Sequence, residues 1–190
     1  MSKDDAWARV AGKGLYPVEY ARWLLTPWRG LILPPSRIVK RLGLKPDDRV
    51  LEIGCGPGYF SPAAALACGH LTLFDCQDGM LDIAQERLKA RGLSNFARAP
   101  GDAKALPFTD SSFDAAFMVT VLGEVGDADA ALREAARVLK PGGRLSVTEQ
   151  MGDPDFISRE ELKMRAAKTT LAFERNFGPR FFYTANFLQR

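Results

Sequence analysis

The sequence predicts an α/β domain: a doubly wound, seven-stranded sheet with helices on both faces, an antiparallel C-terminal hairpin and an N-terminal helical lid. Three observations predict it. Between residues 49 and 150, short apolar runs alternate with longer segments of helical periodicity. The first run, Val50, Leu51 and Ile53, empties into a turn with glycine at 54, 56 and 58. The tail holds two strand-like runs, at 171–175 and 181–188, joined by Asn176-Phe177-Gly178-Pro179, a connection short enough for an antiparallel hairpin.

Length and composition agree with this. The 190 residues, 46% hydrophobic and 26% charged, suit one globular domain. We divide it into an N-terminal helical extension, residues 1–48, and a ligand-binding domain, residues 49–190. No run approaches the ~18 apolar residues of a membrane span. No basic start followed by an apolar run marks a signal peptide, so the expected location is cytoplasmic. Three cysteines and one histidine match no metal-ligand spacing, and no metal is expected. The net charge of +3 is unevenly spread: nine Lys/Arg against five Asp/Glu in residues 1–48, ten against thirteen in 49–150, and seven against five in 151–190. An excess this small argues for no nucleic-acid partner. The acidic middle suits a cationic ligand.

Taken in order, residues 18–26 predict a helix that Pro27 ends, with Tyr16, Tyr20, Trp23 and Leu24 on one stripe. A second helix is predicted over 35–42, with Gly43 as its C-cap. Together with Trp7 and Trp28, these aromatics admit three readings. They pack on the domain edge, or form a lid with Tyr16, Tyr20 or Trp23 facing a pocket, or touch a membrane surface.

Val50, Leu51 and Ile53 read as a strand buried on both faces. The three glycines after it let backbone N–H groups approach a ligand, and a helix predicted over 59–68 presents its N-terminus there. A dinucleotide site wants glycine at the sixth position of the turn, where Tyr59 stands, which speaks against an NAD(P)-dependent oxidoreductase. Glu52 sets an acid beside the ligand and favours an ammonium or sulfonium. The second strand, 71–74, ends in Asp75, 21 residues after Gly54. That is near the ~20-residue offset at which an acid reaches ribose hydroxyls.

A helix then runs to about residue 92 with Leu81, Ile83, Ala84 and Leu88 inward, and a third strand over 96–98 leads to Gly101-Asp102-Ala103. The fourth strand, 115–119, opens into residues 120–126, the side on which open α/β sheets place ligands. Glu124 is the one ionisable group in that loop; it either faces a substrate or stands as a solvated or helix-N-terminal carboxylate. An amphipathic helix over 128–139, a turn at 140–144 and a fifth strand at 145–149 follow. Ser158 and Glu161 stand in capping-box spacing at the head of a helix over 158–168.

The string VLEIGCGPGYF at 50–60 resembles the first motif of class I S-adenosylmethionine-dependent methyltransferases, and RVLKPGGRL at 137–145 is similarly family-like. The resemblance runs over nearly the whole chain from residue 48, with a flavour of small ubiquinone/menaquinone-biosynthesis methyltransferases. It implies a Rossmann-like fold, S-adenosylmethionine as cofactor and S-adenosylhomocysteine as product. It also implies cofactor contacts from Glu52, Gly54, Cys55, Gly56, Gly58, Asp75, Cys76, Met80, Asp102, Ala103, Val119 and Thr120. Met80 would lie near the adenine or ribose, Asp102 would meet the adenine amine, and the Ala103 backbone would lie beside the ring. The acceptor, expected to be a small apolar or aromatic molecule, falls to Tyr16, Tyr20, Trp23 and Glu124. His70, just before the second strand, is expected far from that rim. Glu124, Tyr16, Tyr20 and Tyr183 are the candidates for a base, none singled out. The alternative from another class is a cofactor-binding protein without transferase activity.

Overall fold

The computed structural model describes residues 16–26, 29–153 and 155–190. Trp7 and Trp28, part of the membrane reading, lie outside them. Strand β1 (Arg49–Ile53) sits in the middle of the sheet, parallel to β2 (His70–Asp75) on one side and to β4 (Phe113–Val119) on the other. Beyond β2 lies β3 (Phe96–Pro100), and beyond β4 lies β5 (Leu139–Gln150). The C-terminal hairpin of β6 (Leu171–Phe177) and β7 (Phe182–Gln189) completes the order β3-β2-β1-β4-β5-β7-β6, with β7 antiparallel to both neighbours. This is the predicted seven-stranded fold. His70 pairs with Arg49 at the N-terminal end of its strand, remote from the carboxyl rim where β1 meets the glycine turn.

Side chains of the central strands alternate between two cores, as a pleated strand requires. Leu51, Ile53, Ala116, Met118, Leu145 and Val147 face helices α5 (Ala128–Val138) and α6 (Arg159–Ala166). Val50, Leu71, Leu73, Ala115 and Phe117 face α2 (Pro35–Leu42), α3 (Ser61–Ala65) and α4 (Asp78–Lys89). Gly43 caps α2, as predicted, and Ser158 Oγ accepts the Glu161 N–H at the head of α6. Of the stretch before residue 49, α2 is built into the second core through Ile38, Val39 and Leu42. Polar contacts seat it: Asn186 Nδ2 donates to the Arg41 carbonyl (2.8 Å), and Arg144 Nη1 donates to that of Leu42 (3.1 Å). Inside the sheet, Ser146 bonds to Asn186, and Thr148 and Thr184 share a hydrogen bond of 2.9 Å.

Three elements differ from expectation. The helix predicted over 59–68 shrinks to the five residues of α3. Tyr59 and Phe60 instead stay in the turn, their rings edge to face at 4.9 Å. Residues 18–26 form a 3₁₀ helix (Val18–Leu25), of which only Ala21 is buried. Its three-residue period puts Tyr20 and Trp23 in one row, and that row faces outward. After it, the single turn α1 (Arg29–Ile32) leads into α2. Strand β5 is much longer than 145–149. It begins at Leu139 opposite Phe113, resumes pairing at Arg144 opposite Ala115, and the Lys140-Pro141-Gly142-Gly143 stretch bulges out between the two.

Tyr183 is fully buried in β7 and donates its hydroxyl hydrogen to the Ile157 carbonyl at 2.8 Å, tying the hairpin to the segment before α6. It does not line the cavity at the carboxyl rim of the sheet, and burial drives its phenol up, so it is a structural group and not a base. Tyr183→Phe leaves a buried carbonyl without a donor and should cost about 1–2 kcal/mol. Urea unfolding checks this: the midpoint should fall with the m-value unchanged.

Candidate active site

The sheet's carboxyl rim carries a cavity of about 370 Å³, within the range of small-molecule sites. Its floor is the turn after β1. Gly54 N and Cys55 N both donate to the Phe74 carbonyl, at 2.8 and 3.0 Å, so the turn starts by latching onto β2. A Cβ at Gly54 would come within 2.5 Å of the Val121 side chain. Gly56, at φ 50°, differs: a Cβ there would meet nothing within 4 Å. Its bare face is ligand space, and its N–H is taken by Asp75 Oδ2 at 2.8 Å.

Asp75 ends β2 and is nearly buried. Burial lifts its carboxyl above the ordinary range, and the N–H groups of Gln77 and Gly56 work against that lift. Its Oδ1 accepts from Gln77 N at 3.0 Å. Each oxygen keeps a further lone pair for a ligand's hydroxyls.

Glu52 lies in β1 with its carboxylate in the same cavity, 2% exposed, and its Oε2 has no partner. Burial pushes it up to about 8. A buried carboxylate oxygen without a donor is a place for a cation. The open face at Gly56, the spare lone pairs of Asp75 and the orphaned Glu52 oxygen together fit S-adenosylmethionine, which brings a ribose and an ammonium.

The other expected cofactor residues converge here. Cys55, Cys76, Met80, Asp102, Ala103, Val119 and Thr120 all line the cavity, whereas Gly58 instead packs against Ala84 of α4. Asp102 is exposed and held by Lys104, whose N–H and ammonium reach its two oxygens at 2.9 and 3.2 Å. Thr120 adopts φ 52°, a left-handed conformation that a β-branched residue takes only under constraint. Its N–H donates to the Thr148 carbonyl at 2.8 Å, which fixes where the following loop leaves the sheet. Burial raises the thiols of Cys55 and Cys76, the latter to about 11, so neither is a nucleophile at neutral pH. Among the described residues, no three His, Cys, Asp or Glu side chains are arranged to hold a metal ion.

On the acceptor side the expected set splits. Tyr16 and Glu124 line the cavity; Tyr20 and Trp23 do not, because their row of the 3₁₀ helix faces solvent. Leu24 of the same helix replaces them. Glu124 is not a helix N-terminal carboxylate. Asp127 caps α5, its Oδ1 accepting from Ala130 N at 2.9 Å. Burial first, then Asp153 and Asp155, raise Glu124 to about 7, and Arg29 opposes them.

Polar residues in and behind the cavity wall were also not foreseen, Arg29, Gln77 and Glu149 among them. Arg29 enters the cavity wall with its guanidinium 4.8 Å from the Tyr59 ring centroid and an Nη1 hydrogen bond of 2.9 Å to the Leu24 carbonyl. Gln77 Nε2 donates to the Tyr16 carbonyl at 2.9 Å and so fastens the N-terminal segment to the rim. Glu149, near the end of β5, is buried behind the wall with Oε1 unpartnered, and burial and Asp153 raise it to about 8. The position of Glu149 at a predicted strand's carboxyl end was a usable signal; the roles of Arg29 and Gln77 depend on tertiary contacts.

Comparison with known proteins agrees with this geometry. Residues 51–147 match the family model described as a methyltransferase domain. The chain is 41% identical over 111 residues to the ubiquinone/menaquinone biosynthesis C-methyltransferase of Teredinibacter turnerae, covering 56% of this chain and 45% of that one. It is 43% identical over 110 residues to the namesake from Xanthomonas oryzae pv. oryzae, covering 56% and 44%. It thus spans about half the length of these curated relatives. In fold it is similar to a SAM-dependent methyltransferase from Aquifex aeolicus, with a TM-score of 0.85 at 21% identity over 93% of this chain and 100% of that one. With the family model covering half of its residues and the motif, the sheet order and the rim in agreement, the chain belongs to the class I S-adenosylmethionine-dependent methyltransferases.

Proposed function

We propose that this protein transfers a methyl group from S-adenosylmethionine to a small acceptor with an apolar, aromatic body, seated between Tyr16, Leu24, Val121 and Glu124. The observation that carries the reading is that one cavity holds both the cofactor-type groups, Glu52 and Asp75, and an aliphatic and aromatic wall that the cofactor motif does not require. The names of the curated relatives, C-methyltransferases of quinone biosynthesis, support the aromatic acceptor.

When bound, S-adenosylmethionine supplies a methyl group already activated by its sulfonium. The chain's own work is positional. Asp75 and the Gly56 turn would hold the ribose, Glu52 the ammonium, and the Tyr16 and Leu24 wall would exclude water, an arrangement that supplies up to ~7–11 kcal/mol by orientation. Glu124 is placed to take the hydroxyl proton of a phenolic acceptor, which makes oxygen and the adjacent ring carbons more nucleophilic.

The direct test is S-adenosylhomocysteine formation with a panel of quinols, phenols and thiols. Tight cofactor binding without product from any of them favours the cofactor-binding alternative. With a working acceptor, Glu124→Gln should lower kcat while leaving cofactor affinity unchanged, and should remove the rise in rate centred near pH 7.

Two calorimetric experiments test the cofactor half. Asp75→Ala should weaken S-adenosylmethionine binding by about 1.5–3 kcal/mol, the range for hydrogen bonds to a charged group. Unchanged affinity would assign the ribose to another residue. Glu52 is protonated in the free protein below its raised value of about 8. An arriving cation lowers that value, so binding at neutral pH should expel up to about one proton, and affinity should increase as pH rises toward 8. The heat should therefore depend on the ionisation enthalpy of the buffer in the wild type and lose that dependence in Glu52→Gln.

A further inference from the structure

Among the described residues, Lys104 and Arg29 are the cations that line the cavity. Lys104 is already engaged, its ammonium 3.2 Å from Asp102 Oδ2. Arg29 is not: none of the ion pairs among the described residues includes it. Its side-chain hydrogen bond to them runs from Nη1 to the Leu24 carbonyl at 2.9 Å, and most of the guanidinium's donors are left over. The side chain is half-buried; burial lowers its pKa, and Tyr59, Tyr16, Asp153 and Glu124 work against that.

The place of the guanidinium is fixed from the cofactor side. It lies against the rings of Tyr59 and Phe60, 4.8 and 5.7 Å from their centroids, and both rings belong to the end of the glycine turn. A partly desolvated guanidinium seated on two rings with donors to spare suits a carboxylate, whose two oxygens match its planar fork. S-adenosylmethionine brings that group. Its amino-acid end carries ammonium and carboxylate on neighbouring atoms, so a residue that holds the first sets the second close by. With the ammonium at Glu52, the carboxylate needs a donor in the same cavity, and Arg29 is the lining cation without an acid already on it. Arg29 also belongs to the segment ahead of the sheet, and the carbonyl it holds is that of Leu24, which lines the half of the cavity proposed for the acceptor.

We propose that Arg29 holds the α-carboxylate of S-adenosylmethionine and, through Leu24, draws the 3₁₀ segment onto the occupied cofactor, so that the cofactor tightens the acceptor's wall. S-adenosylhomocysteine keeps the carboxylate and tightens the wall in the same way. Arg29 is thus a positioning residue that ties the two halves of the cavity together. This rests on the ammonium placement at Glu52 given above and does not depend on which acceptor is used.

The test is calorimetry with S-adenosylhomocysteine and with its decarboxylated analogue, which keeps the adenosine, the sulfur and the amine. Arg29→Met should weaken binding of S-adenosylhomocysteine about tenfold or more and leave binding of the analogue nearly as in the wild type. Arg29→Lys, which keeps the charge and loses the fork, should fall between the two, and it carries the comparison if the methionine variant does not fold. Hydrogen exchange of the amides of residues 18–25 is the second readout. At saturation S-adenosylhomocysteine should slow it in the wild type, and the analogue should not. Substitutions that weaken both ligands alike, or neither, overturn the proposal, as does exchange slowed equally by both ligands. A wrong placement at Glu52 shows separately, as a buffer dependence of the binding heat that Glu52→Gln fails to remove, and leaves the carboxylate comparison readable.

Discussion

Asp75 clamps two strand ends together, and the rest of the rim takes its position from that clamp. One oxygen holds the Gly56 N–H and the other holds the Gln77 N–H. The first contact draws the glycine turn over β2; the second orients the start of α4. Gln77 in turn reaches the Tyr16 carbonyl, so the N-terminal segment is placed by the same acid at one remove. A buried carboxylate is tolerated because these N–H donors offset its desolvation, and charge-assisted bonds of this kind are about twice as strong as neutral ones. The two donors leave lone pairs over, and those lone pairs make a structural clamp into a binding group.

The neighbouring acids are less fully served: the Ile157 N–H lowers Glu149 and the Ser61 hydroxyl lowers Glu52, but burial outweighs both. Glu52 and Glu149 are buried with an unpartnered oxygen each, and Glu124 is crowded by Asp153 and Asp155. Raised carboxyls bind protons in the folded state that the unfolded chain has already released. Stability is therefore fully present below the ordinary carboxylate range and is lost as pH rises through the raised values, about 8 for Glu52 and Glu149 and about 7 for Glu124. A cation bound at Glu52 reverses that trend for one of the three. The site is thus least comfortable without its ligand, which is how a binding site keeps polar groups unsatisfied at the expense of the fold.

What could be read from the sequence follows the range of the interactions. Strand β1, its glycine turn and Asp75 were legible because hydrophobic pattern, turn chemistry and spacing lie within some 25 residues of chain. The α2 cap and the Ser158 cap were legible for the same reason. Glu124 remained ambiguous because Asp153 and Asp155 come up beside it from beyond β5, a contact no local pattern announces. Gly123 permits that contact: a Cβ there would lie 1.8 Å from the Asp155 carbonyl oxygen. The 3₁₀ stripe misled because Tyr16, Tyr20, Trp23 and Leu24 share apolar character but not environment. Tyr16 and Leu24 turn to the cavity while Tyr20 and Trp23 turn to solvent. Periodicity identifies a face without saying what lies opposite it.

The two halves of the cavity are held with unequal strength, and this bears on how a ligand enters. The cofactor half is made of strand ends locked between parallel neighbours, with Glu52 and Asp75 on β1 and β2. The half proposed for the acceptor depends on the 3₁₀ segment, fastened by Gln77 to Tyr16, by Arg29 to Leu24 and by Val18 against Gly79. Hydrogen bonds of this sort contribute about 0.5–1.5 kcal/mol each, so the whole segment is held by only a few kcal/mol while the sheet beneath it shares the global stability of the domain. An element so lightly fastened opens far more often than the domain unfolds. On the proposed reading, the wall that would exclude water during transfer is therefore also the wall that would yield to admit the acceptor.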